Sequence, residues 1–285
     1  MTRKGLSQDE RRAYGARMRA ELEAVMNRAY GAMTTDETFW TAVMRTAAVL
    51  PDRSPVNAIA IAAQCPHATR VLSAGDWRKV GRYPAKGSTS IRIWTPIRRR
   101  VAGDAAEEHG DPQSSAADAP TDAETRKVSG YKAAPVFDVS QTQGAEYEPP
   151  TLRAPLPVAV LRDVLAAQYR ATYGEDPVRS GRCDFDQEAP EPVARALILG
   201  HARRRISEAA TLVPGQREAE AASAAHVAAR MLGINPLPAV MPALAGVVVD
   251  GRRPPVYESA VRAIETGRAI ADAVTATAQE LIGTV

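Results

Sequence analysis

Aromatic residues and cysteines are scarce in this chain. Its 285 residues include three phenylalanines, three tryptophans and two cysteines. Cys65 and Cys183 lack the spacing of a metal site, and we interpret them as reduced thiols of a cytosolic protein. No apolar run reaches the roughly 18 residues that a membrane helix needs. The basic first residues are not followed by the apolar segment of a secretory signal, so we expect a cytoplasmic protein without a membrane partner.

Charges of both signs are present, but they are unevenly distributed. Residues 1–100 contain 18 basic and 8 acidic residues, a balance of +10. Residues 101–125 contain 7 acidic residues and no basic ones, whereas residues 126–285 contain 18 of each. A basic N-terminal module followed by a neutral C-terminal one is typical of proteins that bind polyanions.

Three helices are predicted near the N-terminus. Ser7 and Glu10 have the spacing of a capping box, and the helix that they begin ends near Gly31. A second helix follows Asp36, and a third covers Val56–Gln64. In the first two helices, apolar residues recur at the spacing of one buried helix face.

Two strands with a loop between them are predicted next. Residues 88–97 alternate between apolar and polar side chains, which indicates a half-buried strand. One face of this strand carries the isoleucines Ile91, Ile93 and Ile97. Tyr131–Val139 indicates a second strand. The residues between them, 102–125, contain no large apolar side chain, and we interpret them as a flexible acidic loop that connects two paired strands.

The second half of the chain predicts mainly helices. Glu148-Pro-Pro150 marks a boundary between modules. The helical segments after this boundary are Val158–Tyr173, Val193–Ala209, Arg217–Leu232 and Tyr257–Ile282. We therefore predict an α+β fold in two domains, an N-terminal α+β domain at residues 1–147 and a mainly helical domain at residues 148–285.

The region before the acidic loop combines cations with flat aromatic rings. Proteins bind single-stranded nucleic acid with cations that follow the backbone and rings on which bases stack. Between Asp76 and residue 100, no carboxylate opposes the cations. We predict that this region binds DNA through Trp77, Arg78, Lys79, Arg82, Tyr83, Lys86, Arg92, Trp94, Arg98 and Arg99.

The tryptophans also have structural interpretations. Trp40 lies in an apolar helix stripe, so we expect it in the core. Trp77 has the alternative of a half-buried, supporting position. Trp94 shares a strand face with Arg92, opposite the isoleucines, and both base stacking and simple packing stay open for it. For Ser140–Thr142 we expect a turn rather than a contact with DNA.

Three blocks of sequence make the first half similar to a known family. The blocks are Ser54–Gln64 with Pro66–Thr69, Trp77–Pro96 with its Gly81-Arg82 and Lys86-Gly87 pairs, and Val136–Thr142. In order and spacing they resemble the N-terminal single-stranded-DNA-binding domain of ArdC-type antirestriction proteins. The resemblance covers roughly residues 35–145, and it implies a role with incoming single strands of a mobile element such as a plasmid or phage. The family's Lys-Gly-Glu-Lys-Gly is reduced here to Lys86-Gly87-Ser-Thr-Ser.

The second half resembles the metalloprotease-like domain that ArdC-type proteins carry at the C-terminus. The resemblance makes Gln216–Gly233 the helix that supplies the third metal ligand, with Glu220 at the ligand position. His201 then belongs to the His-Glu-x-x-His helix. It is either the second histidine, in Leu197-Ile-Leu-Gly-His201, or the first, in His201-Ala-Arg-Arg-Arg205. In both registers the general-base glutamate and one histidine are missing.

The loss of ligands argues against a metal. Zinc sites of this kind need three protein ligands, and at most His201 and Glu220 are left. His226 lies six residues after Glu220, about 240° around the helix, so the two side chains face apart. We therefore interpret His201 and Glu220 as vestigial metal positions, and expect no catalytic residue and no zinc cofactor. We expect His201 to be packed or partly solvated and Arg203–Arg205 to face solvent.

Three functions follow from these patterns. The first is a single-stranded-DNA-binding accessory protein of the antirestriction type, with an inactive metalloprotease-like domain. Its partners would be single-stranded DNA and a DNA-processing or restriction-related protein. The second is an active zinc protease that acts on DNA-associated proteins, and the missing ligands count against it. The third is a protein-interaction scaffold without DNA binding, in which the basic face binds an acidic partner or the chain's own acidic loop.

Overall fold

A computed structural model describes residues 7–100, 126–148, 156–174, 189–210, 212–244 and 254–283. The chain is a mixed α+β protein, mainly helical with a small antiparallel sheet, which confirms the predicted fold class at this level. The predicted acidic loop, 102–125, lies outside the described residues, as does Cys183.

The described residues form eight α-helices. Their bounds are α1 Gln8–Ala32, α2 Glu37–Val49, α3 Pro55–Gln64, α4 Ala74–Lys79, α5 Val158–Tyr173, α6 Pro190–Ala209, α7 Pro214–Met231 and α8 Pro255–Gly283. Among them, none combines the length and the hydropathy needed to cross a membrane.

Side chains cap the first two helices, and the first of these caps is the predicted one. The Ser7 amide donates to Glu10 Oε2 at 2.7 Å, and the Glu10 amide donates to Ser7 Oγ at 3.2 Å, which is the reciprocal bonding of a capping box. The Asp36 carboxylate accepts from the amides of Thr38 and Phe39 at the start of α2. These side chains satisfy amides that a helix leaves without intrahelical partners.

The backbone contacts divide the chain into two compact units. Unit 1 contains residues 1–25 and 70–148, and unit 2 contains residues 26–69 and 149–285. The break at 148/149 coincides with the predicted boundary at Glu148-Pro-Pro150. Residues 26–69, which we assigned to the N-terminal domain, group instead with the C-terminal helices.

Unit 1 contains all five strands of the described residues. Their bounds are β1 Val71–Leu72, β2 Arg82–Pro84, β3 Ile91–Arg100, β4 Arg126–Asp138 and β5 Thr142–Gly144. One antiparallel sheet has the order β1-β4-β3, and β2 pairs with β5 in a second. The predicted pairing of the two strands that flank the acidic segment is therefore confirmed, with Trp94 opposite Ala133.

The inner face of β3 follows the predicted alternation only in part. Ile91 and Ile93 are buried, together with Val136 on β4. Ile97, predicted on the same face, is 36% exposed. A register shift between Ile97 and Arg98 interrupts the ladder at this point, and such an irregularity bends a strand away from its neighbours.

The core of unit 2 is built from many small side chains. Leucines and isoleucines of α5 and α6 share one core with α7, whose buried residues include six alanines at positions 219, 221, 224, 225, 228 and 229. Small side chains let helix backbones approach closely. At Gly267 of α8, an added Cβ would lie 2.5 Å from the Ala224 carbonyl oxygen and 2.7 Å from Val227 Cβ.

Polar bonds explain why α2 belongs to unit 2. The indole Nε1 of Trp40 donates to Ser223 Oγ of α7 at 2.9 Å, and Trp40 has no exposed surface. Trp40 is thus a core residue, as predicted. The Arg268 guanidinium of α8 donates to the carbonyl oxygen of Ala47 in the last turn of α2 at 2.8 Å, and to that of Arg53 in the following turn at 2.7 Å.

We expect Gly267→Ala to lower the free energy of unfolding by about 1–3 kcal/mol, because the methyl group has no space between α7 and α8. Gly15→Ala in α1 is the matched control, since no atom lies within 4 Å of the added Cβ. It should raise stability by roughly 0.5–1 kcal/mol through helix propensity alone. Urea denaturation measures both, and equal effects would mean that α7 and α8 are not closely packed at Gly267.

Candidate nucleic-acid interface

Residues of the two sequence blocks Trp77–Pro96 and Val136–Thr142 form hydrogen bonds to one another in unit 1. Trp77 of α4 donates through Nε1 to the Phe137 carbonyl oxygen at 2.8 Å. The Gln141 side chain donates to the Thr89 carbonyl oxygen at 2.8 Å, and Ser88 Oγ donates to the Gln141 carbonyl oxygen at 3.1 Å. The second and third blocks of the ArdC-type resemblance therefore form one framework in this fold.

The Asp138 carboxylate organises the turn that ends β4. It is buried, and it accepts from the amides of Arg70 and Ser140, each at 3.0 Å. The Asp138 amide donates to Gln141 Oε1 at 2.9 Å, which completes a capping box for the short 3-10 helix Val139–Gln141. Ser140 and Gln141 therefore lie in a turn, as predicted, whereas Thr142 begins β5.

Trp77 is more deeply placed than predicted. The residue has no exposed surface, and its ring meets Tyr147 edge to face at a centroid distance of 5.1 Å. A base cannot stack on a ring that is covered on both faces. In this conformation Trp77 is a core residue that fixes α4 against β4, and it leaves the set of direct DNA contacts.

Arg82 also has a structural position. Its Nε donates to Thr142 Oγ1 at 2.9 Å and its Nη2 to the Thr142 carbonyl oxygen at 2.9 Å, and its Nη1 donates to the Ala145 carbonyl oxygen. These bonds tie β2 to β5. These acceptors are neutral and do not compensate the charge of the guanidinium, but most of its donors are directed into the protein.

Residues of α1 cover the Arg92 and Trp94 side chains. Arg92 Nη2 lies 2.8 Å from Glu21 Oε2, and the Arg92 side chain is 22% exposed. The Arg19 guanidinium lies over the Trp94 ring at 5.7 Å from its centroid. The pairing with Glu21 neutralises Arg92, and Arg19 occupies the ring face that a base would need. The structure thus favours packing for Trp94, which the sequence had left open.

A group of exposed side chains remains on α4, β2 and the turn that follows. We name it the α4–β2 surface, and its members are Arg78, Lys79, Val80, Tyr83 and Lys86. Tyr83 is 52% exposed and Val80 is 43% exposed. Lys79 pairs with Asp76 at 3.1 Å, whereas Arg78 and Lys86 form no ion pair with a described residue. Side chains of Arg98 and Arg99 lie outside the described part of the chain.

Local bonds order the α4–β2 surface. Ser73 caps α4 by accepting from the Asp76 amide at 3.1 Å, and this sets the direction in which Arg78 and Lys79 leave the helix. Lys86 precedes Gly87, whose φ of +87° is in the left-handed region that favours glycine. The Lys86-Gly87 pair thereby forms a tight turn that exposes the lysine.

An exposed aromatic residue of unit 1, Tyr131, was not among the predicted interface residues. Tyr131 of β4 is 58% exposed and lies opposite Pro96, so it shares the face of Trp94. Paired residues of antiparallel strands point to the same face of the sheet, so the pairing of β3 with β4 would have predicted that Tyr131 lies on the face of Trp94. A second aromatic ring with accessible faces therefore lies on unit 1, outside the α4–β2 surface.

His201 of unit 2 is a packed core histidine. It is 3% exposed, its Nε2 donates to the Leu165 carbonyl oxygen at 3.1 Å, and its ring meets the Tyr169 ring edge to face at 5.1 Å. Burial lowers its pKa, although the bond to Leu165 opposes this, and the nearby charge of Arg205 lowers the pKa as well. Of the two expected states, packed and partly solvated, the structure shows the packed one.

The Glu220 carboxylate is fully engaged by cationic and polar groups. It has no exposed surface, and Arg262 donates to it through Nε at 2.9 Å and Nη2 at 2.7 Å. Ser259 Oγ and the Gln216 side chain donate to the same carboxylate at 2.5 and 3.0 Å. Within the described residues, no group of three or more His, Cys, Asp and Glu side chains is arranged to hold a metal.

The three arginines after His201 do not all face solvent as predicted. Arg203 is exposed and binds Glu218 through Nε, with both N–O distances at 3.0 Å. Arg204 lies over the Tyr173 ring at 5.4 Å from its centroid, and Arg204 and Arg205 are both partly buried. Their long side chains cover aromatic surface beside His201, which a count of charges along a helix does not reveal.

No family model, curated protein or solved structure matches this chain. The ArdC-type resemblance therefore rests on the residues of the three blocks. The first of these blocks, Ser54–Thr69, lies in unit 2, and the other two lie in unit 1.

We expect the stability of the protein to fall as the pH decreases from about 7 to 5. Burial lowers the pKa of both His201 and His226 below the usual value of 6.5. The unfolded chain then binds protons that the folded chain excludes, so the stability present above pH 6.5 is lost as the pH falls. His201→Leu should flatten this dependence, and denaturant titrations at several pH values measure it. An unchanged slope would mean that His201 is accessible to solvent and titrates normally.

Proposed function

We propose that unit 1 binds single-stranded DNA through the α4–β2 surface. The observation that carries this proposal is the exposed ring of Tyr83 between cations that no described carboxylate neutralises, apart from the Asp76 partner of Lys79. Stacking of a base on an aromatic ring contributes about 1–3 kcal/mol and tolerates every base. Val80 adds apolar surface for a sugar or base, and the cations lie within ten residues of one another along the chain.

The biological setting that we propose follows from the ArdC-type resemblance. The chain would be an antirestriction-type accessory protein of a plasmid or phage, acting in the cytoplasm on an incoming single strand, with a restriction-related protein as a partner. Unit 2 would be a metalloprotease-like domain without catalysis. The bonds of His201 and Glu220 support an inactive domain, because His201 donates to the Leu165 carbonyl oxygen and Glu220 accepts from Arg262.

We expect affinity for a single-stranded oligothymidylate to fall steeply with salt, with a log–log slope of roughly −0.7 per phosphate neutralised. Lys86→Gln should flatten the slope, and Tyr83→Ala should weaken binding by about 1–3 kcal/mol at constant salt. Fluorescence anisotropy titrations at several salt concentrations measure both quantities.

Two matched variants control this experiment. Arg12→Gln removes an exposed cation of α1 in unit 1, and Tyr131→Ala removes the exposed tyrosine of β4. Arg12→Gln should change the affinity less than Lys86→Gln, and Tyr131→Ala should change it less than Tyr83→Ala. Loss of binding with Tyr131→Ala alone would place the strand on β4, and absence of binding to any nucleic acid would favour the scaffold hypothesis.

A further inference from the structure

Unit 2 contains a cluster of two arginines and two histidines that the proposed function does not use. Arg45 lies on α2, His67 on the turn after α3, and His226 and Arg230 on the last turns of α7. His67 and Arg230 are exposed, Arg45 is partly buried and His226 is buried. These elements bring four nitrogen-rich side chains of unit 2 into one region.

Two short chains of bonds hold the arginines in place. Arg45 Nη1 donates to the Pro66 carbonyl oxygen at 2.9 Å and lies 3.5 Å from His67 Nδ1. Arg230 Nε donates to His226 Nε2 at 2.9 Å. His226 Nδ1 lies 2.8 Å from the Leu237 carbonyl oxygen, which only accepts, so the imidazole carries its proton on Nδ1 and is neutral.

The positive charge of the cluster has no counterpart among the described residues. Neither Arg45 nor Arg230 forms an ion pair with a described carboxylate, and the Nη groups of Arg230 donate to no described acceptor. Helix α2 packs against α7, as the Trp40–Ser223 bond shows, and this packing brings Arg45 and Arg230 into one region. Loss of solvent around the exposed Arg230 side chain lowers its pKa, and the charge of Arg45 lowers the pKa further. Like charges held together in this way are stabilised when an anion joins them.

We propose that Arg45, His67 and Arg230 form a binding site for a phosphate group. A guanidinium presents paired N–H donors whose spacing matches two phosphate oxygens, and charge-assisted bonds of this kind are stronger than neutral ones. His67 accepts from Arg45 through Nδ1, which leaves its Nε2 proton free for a third oxygen. The site lies in unit 2 and does not depend on DNA binding by unit 1.

Thermal unfolding in inorganic phosphate, compared with chloride at equal ionic strength, tests this site. Phosphate should raise the melting temperature of the unaltered protein, because a ligand that binds only the folded state stabilises it. Arg45→Gln and Arg230→Gln should each weaken phosphate binding by about tenfold. Arg170→Gln removes an exposed arginine of α5, also in unit 2, and reports the general effect of phosphate as a salt.

The melting temperature without phosphate separates binding from a structural role. If the arginines bind phosphate, both Gln variants lose the phosphate effect, even where the lost bonds to Pro66 and His226 lower the melting temperature in chloride. A fall in chloride together with an undiminished phosphate effect would show that the arginines are structural and would overturn the site. The site would also be overturned if Arg170→Gln reduced the effect of phosphate on the melting temperature equally, or if phosphate had no specific effect on the unaltered protein.

Competition identifies the source of the phosphate. The probe is the phosphorus NMR line of inorganic phosphate, which should broaden with the unaltered protein and stay sharp with the Arg45→Gln, Arg230→Gln double variant. If a single-stranded oligothymidylate restores the sharp line, the site accepts a phosphodiester. If the line stays broad, the site selects free phosphate or a phosphate monoester. Both results keep the site, whereas a broad line with the double variant rejects it.

Discussion

Replacing Arg262 by methionine should lower the free energy of unfolding by about 3–5 kcal/mol, because it leaves a buried carboxylate without its cation. Glu220 has no exposed surface, and the Arg262 guanidinium supplies two of its hydrogen bonds. Ser259 and Gln216 would then be its only donors among the described residues, and neither carries a charge. Urea denaturation at neutral pH measures the loss.

Two further variants test whether the lost stability comes from leaving the Glu220 charge buried and unpaired. The double variant Glu220→Leu, Arg262→Met removes both charges, so it should recover most of the lost stability. Arg203→Met breaks the pair with Glu218, whose side chains are 46% and 54% exposed, and should change stability by less than about 1 kcal/mol. If Arg262→Met costs no more than Arg203→Met, the Glu220 carboxylate must reach solvent.

The same ion pair bears on the metal-ligand position that the ArdC-type resemblance implies for Glu220. A carboxylate that already accepts from a guanidinium, a hydroxyl and an amide has few lone pairs left for a cation. Arg262 also places a positive charge directly against this carboxylate, at 2.7 Å, and that charge would repel a cation. Any gain of metal binding at Glu220 therefore requires the loss of Arg262, which makes Arg262→Met a combined test of stability and metal content.

Helices were predictable from the sequence where local signals decide them. Helix α5 has the predicted bounds Val158–Tyr173, and Asp36 caps α2. Helices α6, α7 and α8 begin two to three residues before the predicted starts, at Pro190, Pro214 and Pro255. The predicted starts leave these three prolines outside the helices. Proline is nevertheless favoured in the first turn of a helix, where its missing amide costs nothing.

Partners across the chain were not predictable in the same way. The stripe that contains Trp40 indicated a buried face, but it did not indicate that the face packs on α7, 183 residues away at Ser223. Likewise, the same spacing of cations and aromatic rings fits a face that binds DNA and a set of side chains that bond to one another within the fold. Arg82 binds carbonyl oxygens about sixty residues along the chain, and only the folded backbone brings them within reach.

The predicted interface residues are exposed where local chemistry alone decides their positions, and they are covered where tertiary contacts intervene. Lys86 lies at the tight turn with Gly87 and Tyr83 lies on the short strand β2, and both are exposed. Arg92 lies on a strand face that would be open in an isolated hairpin, but Glu21 of α1 pairs with it. A basic excess of +10 over residues 1–100 did not show which cations α1 neutralises.

Trp77→Ala should lower the free energy of unfolding by about 3–5 kcal/mol, which is the cost of removing a fully buried large aromatic side chain. The change would also leave the Phe137 carbonyl oxygen without the indole donor and Tyr147 without its ring partner. Because Trp77 joins α4 to β4, the loss should appear as lower cooperative stability in a denaturant titration of the full chain.

The conservative variant Trp77→Phe keeps a packed ring and tests the role of Trp77 without emptying the core. It should lower the free energy of unfolding by only about 1 kcal/mol for the lost indole bond, and it should leave affinity for single-stranded DNA unchanged. Tyr83→Ala should do the reverse, because the Tyr83 ring is 52% exposed and contributes little to the core. If Trp77→Phe weakened DNA binding while Tyr83→Ala did not, the strand would have to enter between α4 and β4, and Trp77 would return to the set of direct contacts.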